Sequence, residues 1–146
     1  MSKKPIFSKY RLVVLASSAI IGTLTAGGVA LADQSKVMLS GTQEVPAVTT
    51  SAKGEGTITI DADRSVSGSI MTSGVAATMA HIHEAAAGKN GPVIIPLEKK
   101  GDTEWVVPAN AKLTDAQYKA YKAGDLYVNV HSAAHQAGEI RAQIKP

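Results

Sequence analysis

The chain contains no cysteine. Thiolate metal sites, thiol nucleophiles and disulfide cross-links are therefore all excluded. Aromatic residues are almost as scarce: there is one tryptophan, Trp105, and one phenylalanine, Phe7, near the N-terminus. A core built from this chain must rely on Val, Ile, Leu, Ala and a few Tyr, and must hold without covalent staples. Also missing are a phosphate-cradling glycine loop, a nucleophile motif and an internal repeat. Ser132 beside His131 is no catalytic pair, because adjacent residues on a strand point to opposite faces.

The one long apolar run lies at the start. Lys3, Lys4, Lys9 and Arg11 precede an apolar stretch from Leu12 to Val29, and Ala30-Leu31-Ala32 supplies an A-x-A site before Asp33. This is the pattern of a secretory signal peptide over residues 1–32, removed on export; the alternative is an uncleaved membrane anchor, long enough at about 18 residues. Cleavage changes the charge. The full chain has 15 Lys+Arg against 12 Asp+Glu, but four of the basic residues belong to the leader. The remainder, 33–146, is close to neutral, and nothing in it argues for nucleic acid or for a membrane surface after cleavage. It is one domain, large enough to bury a core. The expected location is exported, periplasmic or extracellular.

Beyond the leader the pattern is that of short strands. Val37–Ser40 reads as the first, after a polar lead-in from Asp33 to Lys36. Gly54–Asp61 alternates cleanly, with Ile58 and Ile60 on one face, and Ser65–Thr72 is its hairpin partner. Thr78–Glu84, Pro92–Leu97, Glu104–Val107, Leu126–Ser132 and Glu139–Ile144 complete the set. Asn90-Gly91 and Lys99–Asp102 read as turns. One helix is expected over 114–123, with Thr114 as N-cap and Gly124 at its C-terminal end. Seven or eight antiparallel strands at this spacing indicate an all-β Greek-key sandwich or barrel, superoxide-dismutase-like or immunoglobulin-like.

The four histidines fall in two strand motifs, His81-Ile82-His83 and His131 to His135. Alternation puts His81 and His83 on one face, their Cα atoms roughly 6.5 Å apart. Tyr127, Asn129 and His131 share a polar face of their strand, and Leu126, Val128 and Val130 the apolar one. If the two polar fronts meet, imidazoles converge on a metal ion, with His81, His83, His131 and His135 as ligands. Neutral imidazole suits copper, zinc, nickel and iron. Met79, on the face of His81 and His83, offers a thioether that tilts the choice to copper, with zinc as the other candidate. The competing reading is a hydrogen-bonded cluster with Asn129, Glu139 and Arg141. Glu139 and Arg141 face outward on the last strand, where they can pair with each other, or Glu139 can orient an imidazole; Glu84 can do the same or add an oxygen ligand.

Four blocks of the chain resemble the CHRD domain, named from the animal protein chordin and found in many bacterial exported proteins. They are Leu39–Pro46, Ala80–Val93, Gly124–His131 and Gly138–Ile144, in the family's order. The resemblance implies a β-sandwich or barrel, and the family's HIH and NVH motifs fall on His81, His83 and His131. Glu84 stands where the family usually has a small residue, and His135 where it is variable. The HxH strand is also similar to the copper strand of Cu/Zn superoxide dismutase, an analogy between folds and not of activity. Two functions are compatible with this reading. One is a non-enzymatic exported protein that binds, buffers or delivers an ion. The other is a recognition or structural module for another exported protein. The leader predicts an exported form beginning at Asp33, which intact-mass measurement of the secreted chain checks; a form retaining residues 1–32 would refute cleavage.

Overall fold

The computed structural model describes residues 32–146, so the expected leader lies outside the described residues apart from Ala32. Nine strands form one antiparallel sheet: β1 (Asp33–Ser40), β2 (Lys53–Ile60), β3 (Val66–Ser73), β4 (Ala77–Glu84), β5 (Val93–Pro96), β6 (Glu98–Lys100), β7 (Glu104–Val106), β8 (Leu126–Ser132) and β9 (Ile140–Ile144). Their order is β5-β4-β8-β9-β1-β2-β3-β7-β6. β1, β2 and β3 are an antiparallel meander paired along their whole length. Their alternation sends Val37, Leu39, Ile58, Ile60, Val66 and Ile70 into the core, as the period of two requires.

The two ends of that order are consecutive in the chain. Val93 to Lys100 is a single run bent at Leu97, with β5 pairing to β4 and β6 pairing to β7. Leu97 itself is buried, and its N–H donates to the Ala80 carbonyl at 2.9 Å. One bent segment thus supplies both ends of the sheet and nearly closes it into a barrel. The interior holds Ile82, Leu126, Val128, Val130, Ile140 and Ile144 from the β4-β8-β9 side and Trp105 from β7. No methionine joins it among the described residues.

The connection from β7 to β8 carries the helix α1 (Asp115–Ala123). Thr114 caps it reciprocally: its hydroxyl accepts from Gln117 N, and the Gln117 side chain accepts from Thr114 N. Gly124 ends it in the left-handed conformation at φ 82°, as the composition around it requires.

Three local expectations are corrected. Asp33–Lys36 belongs to β1, because pairing with Thr57–Ile60 supplies a ladder that its polar composition hides. Glu98–Lys100 is a fully exposed strand, held by its pairing with β7. The turn after β4 falls at Ala87-Gly88, and Asn90-Gly91 is spent on other contacts described below. Leu97→Ala should cost about 2–5 kcal/mol, the range for truncating a buried leucine, read as a lowered urea midpoint. A cost under about 1 kcal/mol would show that the bend at Leu97 does not hold the barrel closed.

Candidate metal centre on the outer face of β4 and β8

β4 and β8 pair antiparallel, with Met79 opposite His131, His81 opposite Asn129 and His83 opposite Tyr127. Directly opposed side chains share a face, so one register places all six on the same side, away from the core. The three histidines converge there. The His81 and His131 rings lie 4.8 Å apart between centroids, His81 and His83 5.6 Å, and His83 and His131 6.1 Å. One nitrogen from each falls in a group whose members all lie within 4.8 Å of one another. Three imidazole nitrogens bound to one ion stand about 3.3–3.6 Å apart, so the group closes onto an ion with each nitrogen moving by under about an ångström.

Loops settle which nitrogens are free. His83 Nδ1 is 2.9 Å from the Gly91 carbonyl, and His131 Nδ1 is 2.9 Å from the Gln136 carbonyl. A carbonyl only accepts, so both Nδ1 atoms carry the hydrogen and both Nε2 atoms present bare lone pairs. His83 Nε2 is buried without a partner. His131 Nε2 is 3.0 Å from His81 Nδ1, which donates to it while no ion is bound. An ion would take both Nε2 atoms and His81 Nδ1, with His81 moving its proton to its other ring nitrogen. Backbone carbonyls behind ligating imidazoles are the usual orienting arrangement in metal centres. The donor set fits an imidazole-bound transition metal.

Each carbonyl is itself held. The 132–138 turn is closed by Ser132 N–H to His135 O, His135 N–H to Ser132 O and Gly138 N–H to His135 O. Ser132 also donates to Glu139 at 2.5 Å, and Thr50 donates to the same carboxylate at 2.7 Å. Gly91 N–H donates to the Tyr127 hydroxyl at 3.2 Å. Gly138, at φ 130°, cannot be replaced without collision, because a Cβ there would stand 2.5 Å from Asn129 Nδ2 and 2.6 Å from Glu44 Oε1.

Burial disfavours charge at the cluster. His81 is pushed down to about 4, first by desolvation and then by the neighbouring His131 and His83. His83 is lowered too, mainly by desolvation, against the opposing pull of its Gly91 bond and of the Asn129 side chain. Arg141 adds a cationic field. Only 1% exposed, it lies with its guanidinium carbon 3.4 Å from the Tyr127 ring centre, and Tyr127 stacks on His83 at 4.7 Å with planes 7° apart.

The sequence-designated residues divide clearly. His81, His83 and His131 come together, and Met79 stands beside them on the exposed side. His135 is not in the group; its backbone builds the turn that presents Gln136. Glu84 falls on the opposite face of β4 from the histidines, as the period of two dictates, and is likewise outside the group. Glu139 and Arg141 form no ion pair with each other. Both are buried, contrary to the outward exposure expected, because the loops after β1 and β4 fold over that face of β9. Arg141 donates to Asn90 Oδ1 at 3.2 Å and to Ala86 O at 3.5 Å instead, while Asn90 donates to Val45 O at 2.7 Å. Asn129 bonds the buried Glu44 carboxylate at 3.4 Å, and burial raises the Glu44 pKa. The site roles of Glu44, Asn90, Gly91 and Gln136 were missed: the first three lie in the family-like blocks, and Asn90-Gly91 reads as a turn, but loop residues of these types usually face water.

The fold and site define a β-barrel domain with an outward-facing histidine triad able to hold a metal ion. The CHRD domain family matches residues 35–144, nearly the whole described chain, and the protein belongs to that family. No curated protein and no solved structure matches it.

Depressed histidines leave a signature in acid. Between pH 6.5 and about 4 the unfolded chain takes up protons on these imidazoles while folded His81 does not, so stability should fall as pH drops through that window. Urea midpoints of metal-free protein read the effect, and His81→Asn should flatten it. An unchanged slope in the variant would refute a desolvated His81.

Proposed function

We propose that this is an exported, non-enzymatic metal-binding protein, with copper as the ion, that binds, buffers or passes the ion to another exported protein. The carrying observation is that two backbone carbonyls fix His83 and His131 with unprotonated Nε2 atoms, the first buried and unpartnered and the second 3.0 Å from His81 Nδ1. A buried polar atom without a partner costs roughly 1–3 kcal/mol, and an ion at that position removes the cost. An all-imidazole donor set with the Met79 thioether beside it suits copper. The leader sequence supports export, and among the described residues no helix is long and apolar enough to cross a membrane.

A second reading has its own support. His81 and His131 already satisfy one another at 3.0 Å, so the cluster can serve as a polar layer that stiffens a recognition module. Elemental analysis decides between them, on untagged protein taken from its native compartment. One ion per chain is expected, with affinity lowered in His131→Ala by at least the roughly 10–100-fold seen for outer-shell changes. Ion release on acidification should begin below the ordinary imidazole value of about 6.5, since His81 and His83 resist protonation. Negligible metal, with His131→Ala altering stability alone, would establish the second reading.

A further inference from the structure

Resting on the metal-binding reading, we infer that the site is built for a monovalent, cuprous ion, and that the Met79 thioether is its fourth, selectivity-determining donor.

Three observations carry this. First, the donor group contains no carboxylate: it is three neutral imidazoles. Buried Arg141 lies against the Tyr127 ring that stacks on His83, which places a guanidinium near the site. The buried carboxylates of this region are engaged elsewhere, Glu44 with Asn129 and Arg141, and Glu139 with Ser132 and Thr50. The cost of burying an ion among neutral donors grows with the square of its charge, and a nearby guanidinium adds to it. A divalent ion meets both penalties in full, whereas a monovalent ion meets a fraction of them.

Second, Met79 is placed to complete the set. It lies directly opposite His131 in the register and two residues before His81 on the same face. Opposed residues of an antiparallel pair have Cβ atoms about 4.5–5.5 Å apart, within reach of a flexible thioether. Soft sulfur donors select cuprous ions over harder divalent ones.

Third, Met79 is not a core filler, the commoner use of methionine. It is 47% exposed, and it stands at the half-exposed His81 while His83 and His131 are buried. The ion's route in and out therefore passes Met79 and His81. Met38 is also exposed, at 73%, but sits on β1, separated from β8 by β9. It is the internal control for any thioether on the surface.

The test titrates intact exported protein with Cu(I) under anaerobic conditions, with Ag(I) as a redox-inert stand-in, and with Zn(II), each against a competing chelator. Wild-type protein should bind Cu(I) and Ag(I) at least 100-fold more tightly than Zn(II). Met79→Leu should weaken the monovalent ions about tenfold or more and leave Zn(II) unchanged, while Met38→Leu should change neither. Zinc bound as tightly as Cu(I), an unselective Met79→Leu, or an equal effect of Met38→Leu would overturn the inference. Those outcomes leave the histidine site standing if His131→Ala still abolishes binding. No binding of any ion by wild-type protein would instead remove the metal-binding reading itself, and this inference with it.

Discussion

Register between β4 and β8 is the constraint on which everything else in this molecule depends. Because side chains alternate, a slip of one residue would invert one strand, turning either His81 and His83 or His131 into the barrel and either Ile82 or Val128 and Val130 out to the loops. The apolar side prevents that slip. Ile82, Val128 and Val130 are buried, and moving them into contact with water would cost about 1.5–3 kcal/mol for each fully buried side chain. The hydrophobic core thus specifies the histidine face, although no core residue touches an imidazole nitrogen by design.

The outer face of these strands is itself a second, polar interior. Loops from three parts of the chain cover it: 41–50, 85–92 and 133–138. Each supplies something that a bare sheet could not, including the Gly91 and Gln136 carbonyls, the Asn90 bridge between Arg141 and Val45, and the Glu44 carboxylate. A buried polar layer of this kind holds only if nearly every member is satisfied. Two atoms in it are not, His83 Nε2 and Asn129 Oδ1. The first belongs to a ring whose other nitrogen is already committed to a carbonyl, and Asn129 is the side chain that acts on that ring. The two requirements reinforce each other, because the contacts that satisfy the layer also hold the imidazoles in the tautomers a metal needs.

Much of this was legible from residue order. Alternation in Gly54–Asp61, the Thr114 cap and Gly124 stop, and the apolar face of Leu126–Val130 are local signals, and local signals survive into the fold. The convergence of His81, His83 and His131 was legible as well, because two strands with matching polar fronts have few ways to pair. The placement of Glu84 follows from the same period of two, which outweighs its position next to His83. What failed were the inferences that needed to know what covers a face. Glu139 and Arg141 read as outward residues that could pair, and they are buried under loops with separate partners. His135 read as a ligand from its nearness in sequence, and the turn it helps to close carries it out of the group.

Residue order alone determined the all-β class, the strands that bear His81, His83 and His131 and the face on which each lies, because periodicity is a property of the backbone. Tertiary structure decided the closing of the barrel through Val93–Lys100, the burial of Arg141 and the choice of ring nitrogen at His83 and His131. Those depend on loop carbonyls and guanidinium contacts between residues distant along the chain, and no local pattern encodes where a carbonyl oxygen comes to rest.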